Sequence, residues 1–389
     1  MFPKTSYILT GVLLFVYLSQ GCKKTTQSEI LPNAPALNLP AVQTLNLPVS
    51  LFNYAAQGLP AHMLAPPVRN TDNSPASNPV TNAGATLGRV LFYDRNLSLN
   101  KTVSCGSCHK QANGFADALT MSKGFNGGNT DRNSMSLSNA RYYENGRFFW
   151  DERAATLEVQ VLAPIQNAVE MGLTLTELNT CLKTLSYYPS LFKDAFGDEM
   201  ITSDRVSKAL SQFIRSMISY RSKYDIGRAA VNDVNAPFPT FTAQENQGKQ
   251  IFLAPGSCSG CHGTDAFNAP GLRNNGLDAA VTDGGAGTVN NNPQDVGRFK
   301  VPSLKNIAVT APYMHDGRFK TLDEVIEHYS TGVKNNPALS HPLRAQGGGV
   351  HLSNFTAAEK DALKAFLNTL TDGPMLADEK FSDPFNKSR

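Results

Sequence analysis

The chain has 389 residues, of which 41% are hydrophobic and 17% are charged, a composition typical of a globular protein. This length is sufficient for two domains, each with its own hydrophobic core. The formal net charge is only +3 and the sequence contains no run of basic residues, so we expect neither nucleic acid nor an acidic membrane surface as a partner.

The first 22 residues have the layout of a secretory signal, in which a basic residue precedes an apolar stretch that ends at small residues. Lys4 precedes the apolar run Tyr7–Tyr17, which is too short to span a membrane comfortably. Cys22 follows a glycine and resembles the acylated cysteine of a bacterial lipoprotein, although Ser19 stands where leucine is usual. We therefore predict export to the periplasm, either with a lipid anchor at Cys22 or after simple cleavage of the signal.

Residues 23–80 are rich in Pro, Asn, Ser and Ala, which predicts a tether followed by an extended N-terminal arm. His62 lies in this arm, where a lone histidine is more often a surface residue than a ligand. The first helix predicted after the arm is Ala85–Tyr93, because its apolar residues recur at the spacing of one helical face.

A Cys-x-x-Cys-His motif follows this helix at Cys105, Cys108 and His109. It is the attachment signature of a c-type haem, in which each thiol bonds a vinyl group of the porphyrin and the histidine binds the iron. A redox disulfide and half of a zinc site are the alternatives for a lone Cys-x-x-Cys pair.

Further helices are expected only after Gly114–Ser138, which is rich in Gly and Asn and predicts a loop. The helix predicted over Ser203–Tyr224 is the clearest, and Ser203 could cap its start. Cys181 has no cysteine partner in the sequence, and we interpret it as a buried thiol. Val234–Thr240 contains two prolines that a helix cannot accommodate, which makes it the best candidate linker. The helices predicted here are Ala154–Val161, Thr174–Leu185 and Ser203–Tyr224.

The motif recurs at Cys258, Cys261 and His262, after another predicted helix, Thr242–Phe252. The two matches use four of the six cysteines in the chain. Histidine directly after the second cysteine of both pairs argues against a four-cysteine zinc site, in which it would have no function. We therefore predict two covalently bound haem c groups.

The rest of the chain also indicates a mainly α class, because no strong strand pattern is present. After a Gly/Asn-rich loop, Asp265–Asp295, Thr321 can cap a helix whose Glu324 completes a capping box and whose apolar face includes Tyr329. A closing helix is predicted over Phe355–Leu370. We expect two cytochrome c-like domains with one haem each, residues 81–236 and 237–375, followed by a tail, 376–389.

Several short segments around the two motifs form a recognisable set: Leu91–Asp94, Arg132–Ser134, Phe149–Asp151, Val169–Met171, Phe299–Leu304 and Ala311–Gly317. Together they resemble the corresponding segments of the bacterial dihaem cytochrome c peroxidases, a family that includes MauG. The resemblance runs from about residue 84 to residue 372. It implies a peroxide-reducing haem in the N-terminal domain and a haem that receives electrons in the C-terminal domain.

The resemblance also implies roles for single residues. His109 would be the proximal ligand of the first iron and His262 that of the second. Trp150 matches the tryptophan that lies between the haems and helps carry electrons, a role that is compatible with that of a core aromatic. A calcium ion between the domains is implied at the positions that match the family's ligands, which are the side chain of Asn133 and the backbone carbonyls of Thr310 and Pro312.

Glu170 matches the glutamate of the family's distal pocket, and Gln160 and Pro164 match other residues that line it. Cleavage of peroxide requires a group that moves a proton from one oxygen to the other, and a carboxylate in a sparingly solvated pocket can do this. Glu170 is therefore the candidate general acid/base. Its alternative is an ordinary helix-end glutamate.

One departure from the family pattern concerns the first haem. Many of these peroxidases have a histidine, in the loop after the first motif, that closes the iron until the other haem is reduced. Here Phe125 takes its place, and no histidine occurs between His109 and His262. We predict a permanently open first haem, since phenylalanine cannot bind iron, although Met121 and Met135 are near in the sequence.

A second departure concerns the distal ligand of the second haem, which in the peroxidases is a methionine 14 residues beyond the histidine that corresponds to His315. Here that position is Tyr329, and MauG also has tyrosine there. Met314 and His328 are rival ligands. A phenolate would lower the reduction potential relative to methionine.

Three functions follow. The leading one is an exported peroxidase that reduces hydrogen peroxide to water with electrons from a small cytochrome c or cupredoxin. The closest alternative, favoured by Phe125 and Tyr329, is a MauG-like oxidase that modifies a partner protein through high-valent haem iron. A non-enzymatic electron-transfer cytochrome is the third, and it would have no use for Glu170. Members of this family are often homodimers, so a homodimer is also expected for this chain.

Overall fold

Helices form the main regular structure of residues 45–385, the part of the chain that the computed structural model describes. The fold class is therefore mainly α, as the sequence predicts. The predicted signal segment, residues 1–22, with its candidate anchor Cys22, lies outside the described residues. Within the described range, no helix combines the length and the hydrophobicity that a membrane crossing requires.

The helices are numbered here in chain order. Those before the predicted linker are α1 Ala61–Leu64, α2 Asn82–Tyr93, α3 Cys105–Cys108, α4 Leu157–Gln166, α5 Leu175–Thr184, α6 Tyr188–Phe196, α7 Ser203–Arg215 and α8 Lys223–Ala229. Those after it are α9 Ala243–Leu253, α10 Ser259–His262, α11 Gly285–Asn290, α12 Leu322–Glu327, α13 Ala357–Asn368 and α14 Gly373–Leu376. A small antiparallel sheet pairs β1, Leu272–Arg273, with β2, Phe299–Lys300.

Each Cys-x-x-Cys-His motif follows a helix that packs closely against a later helix. α2, before the first motif, contacts α7 at Gly88, where a Cβ atom would lie 2.0 Å from the carbonyl oxygen of Ala209. α9, before the second motif, contacts α13 at Gly248, where a Cβ atom would lie 1.9 Å from the carbonyl oxygen of Ala362. Only glycine permits so close an approach of two backbones. The two halves of the chain therefore share one packing arrangement, in which a glycine of the helix before the motif contacts a carbonyl group of a later helix.

Two large hydrophobic clusters accompany these helix pairs. The first includes Phe213 of α7, and the second includes Phe366 of α13. Tyr224 of α8 belongs to the second cluster, where its ring centroid lies 4.7 Å from that of Phe267. The predicted tail returns to the first cluster, because Phe381 is buried within it.

The predicted helix Ser203–Tyr224 is wrong in its second half. α7 ends at Arg215, because the backbone beyond it bonds to side chains from elsewhere in the fold. The N–H of Ser219, for example, donates to Oδ1 of Asn139 at 2.7 Å. The cap also differs from the expectation, since the Thr202 side chain, one residue before Ser203, accepts the hydrogen bond that begins the helix.

The other predicted helices are present as α2, α4, α5, α9, α12 and α13, with ends that differ by a few residues. The capping box of Thr321 and Glu324 is formed as predicted. Cys181 is half-buried rather than buried, and its Sγ lies 3.5 Å from the carbonyl oxygen of Asn96. The predicted loop Asp265–Asp295 contains β1 and the short helix α11.

The N-terminal arm is docked on the fold, and the expectation of an exposed His62 is wrong. His62 is 7% exposed, and its Nε2 lies 3.1 Å from Oδ1 of Asp225 in α8. The same carboxylate accepts a hydrogen bond of 2.6 Å from Nζ of Lys305, which is fully buried. Asp225, which forms a buried ion pair with Lys305, is thus also the polar partner that allows His62 to be buried.

Candidate active site

The first motif forms a short helix, α3, that ends at His109. Nδ1 of His109 donates to the carbonyl oxygen of Phe115 at 2.8 Å. With the proton on Nδ1, the lone pair of the ring lies on Nε2, which is how proteins prepare a histidine to bind a metal. Phe115 has a φ of 61°, an uncommon conformation for a bulky residue.

The second motif repeats this arrangement. It forms α10, and Nδ1 of His262 donates to the carbonyl oxygen of Phe267 at 3.0 Å. Phe267 has a φ of 55°, so both carbonyl groups come from phenylalanines in the left-handed region. Sequence reasoning missed these two residues, although an aromatic five or six positions after each motif histidine was a visible signal.

The thiols of both motifs are available for attachment chemistry rather than paired. All the cysteines within residues 45–385 are free. Burial raises the pKa of the Cys105 thiol to about 12. No group of three or more His, Cys, Asp and Glu side chains in that range is arranged to hold a metal ion. The disulfide and zinc alternatives therefore lose support.

A cavity beside His109 brings the predicted distal residues together. Trp150, Gln160, Pro164 and Glu170 all line it. Gln160 and Pro164 are four residues apart in α4, so they lie on one face of that helix. Glu170 comes from the loop that follows the same helix. One helix and the segments on either side of it thus supply these four cavity residues.

Glu170 lies in an environment that favours its neutral form. Burial raises the pKa of its carboxyl group, Arg153 opposes this, and Asp131 adds to it. The loop that carries it is held by Asn167, whose Oδ1 accepts hydrogen bonds from the N–H groups of Val169 and Glu170 at 2.8 and 3.2 Å. A carboxyl group that has a raised pKa and is carried by a hydrogen-bonded loop is suited to proton transfer.

Phe125 does not enter the cavity. Its ring packs against Gly172, where a Cβ atom would lie 2.7 Å from the ring carbon Cε1. Among the residues that the structure describes, His109 is the one histidine that lines the first cavity. Of the two methionines near in the sequence, Met135 lines the cavity and Met121 does not.

A second cavity lies beside Cys258, Cys261 and His262, and both Tyr329 and Met314 line it. Its remaining wall is largely apolar, which suits a porphyrin. The apolar residues include Leu277, Phe299, Val301, Leu304, Val325, Ile326, Phe355, Leu363 and Leu367.

Tyr329 lies in a wide π-helical turn, His328–Gly332, that directly follows α12. Such turns recur at functional sites. Burial raises the pKa of Tyr329 to about 12. Its hydroxyl accepts a hydrogen bond from Nδ2 of Asn275 at 3.4 Å, and the same nitrogen lies 3.3 Å from Sδ of Met314. His328 faces elsewhere, because its Nε2 lies 3.0 Å from the carbonyl oxygen of Asn275.

Several residues line both cavities and therefore lie between them. Nε1 of Trp150 donates to the carbonyl oxygen of Asn133 at 2.8 Å. The carbonyl oxygen of Trp150 in turn accepts from the N–H of Lys300 at 2.7 Å. Hydrogen bonds thus fix both ends of the tryptophan. The residues common to the two walls are Asn133, Ser134, Met135, Ser136, Trp150, Lys300 and Ser303.

The residues implied as calcium ligands, Asn133, Thr310 and Pro312, all line the second cavity. Nδ2 of Asn133 donates to the carbonyl oxygens of Leu119 and Thr120, both at 3.1 Å. Its Oδ1 is therefore the side-chain atom that remains for a cation. An amide oxygen with two carbonyl oxygens is a donor set of the kind that calcium prefers.

Comparison with known proteins identifies a matching family and similar relatives. The family model described as di-haem cytochrome c peroxidase matches residues 82–230. The methylamine utilization protein MauG of Methylorubrum extorquens is 33% identical over 303 residues, which cover 77% of this chain and 81% of that protein. The cytochrome c551 peroxidase of Nitrosomonas europaea is 31% identical over 292 residues, which cover 74% of this chain and 79% of that protein.

A solved structure is also similar. It is that of a MauG-like protein associated with microbial copper homeostasis, which superposes with a TM-score of 0.72 at 33% identity. The match covers 84% of this chain and 99% of that protein.

Proposed function

Since this chain belongs to the di-haem cytochrome c peroxidase family, which includes the MauG proteins, we propose that it reduces hydrogen peroxide to water with electrons from a small redox protein. As a member of this family it is an oxidoreductase with two haems. The observation that carries the proposal is that Glu170, Gln160 and Pro164 line the same cavity as His109.

Attachment of the haems is part of the proposal. Cys105 and Cys108 lie on one turn of α3 and would bond the first porphyrin, with His109 beneath its iron. Cys258, Cys261 and His262 would do the same for the second, and the repeated Nδ1 hydrogen bonds support both assignments. When bound, the first haem supplies the iron that receives peroxide and delivers electrons to it.

Glu170 acts on the protons of the reaction. Reduction of one peroxide molecule to two water molecules consumes two electrons and two protons. The Glu170 carboxylate would take the proton from one oxygen of the peroxide and return it to the other, which leaves as water. Burial raises the pKa of Glu170, which makes its carboxylate a stronger base than that of an exposed glutamate. Gln160 and Pro164 limit the space in which peroxide can lie.

Electrons would enter at the second cavity and pass Trp150, which lines both cavities. The donor is a small cytochrome c or cupredoxin. Tyr329 is the distal ligand that we favour for the second iron, because it lines the cavity whereas His328 does not. Met314 remains the rival ligand. A calcium ion at Asn133 would stabilise the region between the two haems.

The proposal includes export to the periplasm, with Cys22 as the candidate lipid anchor, and the homodimer that is common in the family. It also includes the two haem domains, residues 81–236 and 237–375. Support for these domains comes from the repeated glycine contacts at Gly88 and Gly248. The position of Tyr224 in the second hydrophobic cluster suggests that the second domain recruits α8 as well.

One observation favours a second candidate, a MauG-like oxidase that modifies a partner protein. Tyr329, rather than a methionine, stands at the distal position, and MauG of Methylorubrum extorquens is similar over most of the chain. A phenolate ligand lowers the reduction potential of a haem, which hinders electron entry from a conventional donor.

Steady-state turnover separates these candidates. The haem-loaded protein is mixed with hydrogen peroxide and a reduced small cytochrome c, and oxidation of the cytochrome is followed by its absorbance. A peroxidase oxidises two cytochrome molecules for each peroxide in rapid turnover. Poor turnover with a long-lived oxidised state of the protein would instead support the MauG-like oxidase.

A further inference from the structure

The side chain of Lys300 is buried between the two cavities without an anionic partner. Lys300 is 7% exposed and lines both cavities. Within residues 45–385, no carboxylate forms an ion pair with its Nζ, whereas Lys305, which is also buried, is paired with Asp225. Lys300 is also the one charged residue among the described residues common to the two walls.

The neighbours of the ammonium group are weak partners for a cation. Nζ of Lys300 lies 3.5 Å from Sδ of Met135 and 4.2 Å from the centroid of the Tyr143 ring. A thioether is a poor acceptor, and an aromatic face offers only a modest cation–π attraction. Glu152 is the acidic residue whose charge acts on Lys300. Its Oε1 already accepts hydrogen bonds from the Tyr143 hydroxyl and from Asn145.

The position of Lys300 is fixed by its backbone. Its N–H donates to the carbonyl oxygen of Trp150 at 2.7 Å, and β2 pairs Lys300 with Leu272 of β1. The side chain therefore starts from a rigid point beside the tryptophan.

A buried ammonium group without an anion is strongly destabilising, because it loses its hydration and gains no compensating charge. Since no carboxylate of the described residues lies within ion-pair distance of its Nζ, a group that occupies a cavity is the remaining source of an anion. Haems carry carboxylates as their propionate groups. We propose that Lys300 is a carboxylate-binding residue that holds a propionate of a haem bound in one of the two cavities.

This inference rests on the haem content of the family and not on the proposed reduction of peroxide. A positive charge held at the edge of a haem favours the reduced iron, which carries less positive charge. Loss of that charge therefore favours the ferric state and lowers the midpoint potential of the haem concerned. The alternative anion is a small carboxylate that binds reversibly at Lys300.

Spectroelectrochemical titration of both haems in the intact holoprotein tests the proposal. The variants Lys300→Met and Lys300→Gln should each shift the equilibrium of at least one haem about tenfold toward the ferric state, which is about 59 mV for one electron. Lys300→Arg, which keeps the charge, should have the same midpoint potentials as the wild type. The haem that shifts identifies the propionate that Lys300 holds.

Lys249→Met is the matched control. Lys249 is also buried, but its Nζ donates to the carbonyl oxygens of Val234 and Ala236, and it lines neither cavity. Its removal should lower stability and leave both midpoints unchanged.

Two results would overturn the assignment. One is unchanged midpoints in both neutral variants of Lys300. The other is a wild-type midpoint that varies with added acetate while that of Lys300→Met does not, because this would place a dissociable anion at the site. Neither readout requires turnover, so failure of this inference is distinguishable from failure of the proposed peroxidase activity.

Discussion

The backbone N–H of Phe125 donates a hydrogen bond to the carbonyl oxygen of Glu170, at 3.0 Å. The residue that stands where many relatives have an iron-binding histidine thus supports the loop that carries the candidate acid/base. Its ring packs on Gly172 and not into the cavity. We infer that this loop braces the first cavity in the open state rather than closing it.

Replacing Glu170 by glutamine should slow the reaction with peroxide by about 10²- to 10⁴-fold, because the amide cannot accept and return a proton. The haem spectrum should stay close to that of the wild type, since no iron ligand changes. Rapid mixing with peroxide measures the rate. Glu199→Gln is the control, because Glu199 is exposed and lines neither cavity.

The pH dependence of the same reaction provides a separate check. Because burial raises the pKa of Glu170, its base form is lost at a higher pH than that of an exposed glutamate. The wild-type rate should therefore fall as the pH is lowered through this raised pKa. A wild-type fall that persists unchanged in Glu170→Gln would show that another group is responsible.

Tyr329→Met should raise the midpoint potential of the second haem, because a thioether favours the ferrous iron more than a phenolate does. The potential is measured by titration of the absorbance of that haem. His328→Gln tests the rival ligand and should leave the spectrum unchanged, because His328 does not line the cavity. A spectral change in His328→Gln alone would contradict the assignment of Tyr329.

Trp150→Phe should slow the transfer of electrons between the haems and leave the initial reaction with peroxide intact. Phenylalanine is harder to oxidise than tryptophan, and it also lacks the Nε1–H that bonds to Asn133. Single-turnover kinetics from the half-reduced protein separate the two steps. Equal rates of inter-haem transfer in both proteins would make Trp150 only a core aromatic.

Asp225→Asn should destabilise the fold by about 3–5 kcal/mol, because it leaves the buried ammonium of Lys305 without its counter-charge. Denaturant unfolding of the holoprotein gives this free energy. Asp204→Asn should change it little, since Asp204 forms only an exposed pair with Lys208.

The same carboxylate makes stability depend on acid pH. Burial alone would raise the pKa of Asp225, but Lys305, His62 and Ser222 outweigh it and lower the pKa to about 2. A depressed carboxylate pKa stabilises the folded state above the unfolded value of about 4. This stabilisation should be lost as the pH falls from about 4 to about 2, and Asp225→Asn should lack that loss.

The fold was predictable where the pattern is local. Apolar periodicity predicts the helices that flank both motifs, and the spacing of Cys105, Cys108 and His109 predicts the attachment site. The end of α7 was not predictable, because Asn139 and other distant side chains bond the backbone beyond it. The burial of His62 likewise depends on Asp225, which is far away in the sequence.

The candidate site was predictable only in part for the same reason. The resemblance suggests Glu170 and Trp150, and both line the cavity beside His109. Lys300 lies within one of the segments that carry the resemblance. The sequence does not show, however, that its charge is unpaired, because this depends on the burial of the side chain between the two cavities. Asn275, which contacts both Tyr329 and Met314, sits in a loop without any motif.

The central claim is that the first cavity reacts without prior reduction of the second haem. Rapid mixing of the fully ferric protein, never exposed to reductant, with hydrogen peroxide tests it most directly. We expect an immediate change in the Soret band, with a ferric spectrum that contains a high-spin component before mixing. A purely low-spin ferric protein that ignores peroxide until it is half-reduced would contradict the account.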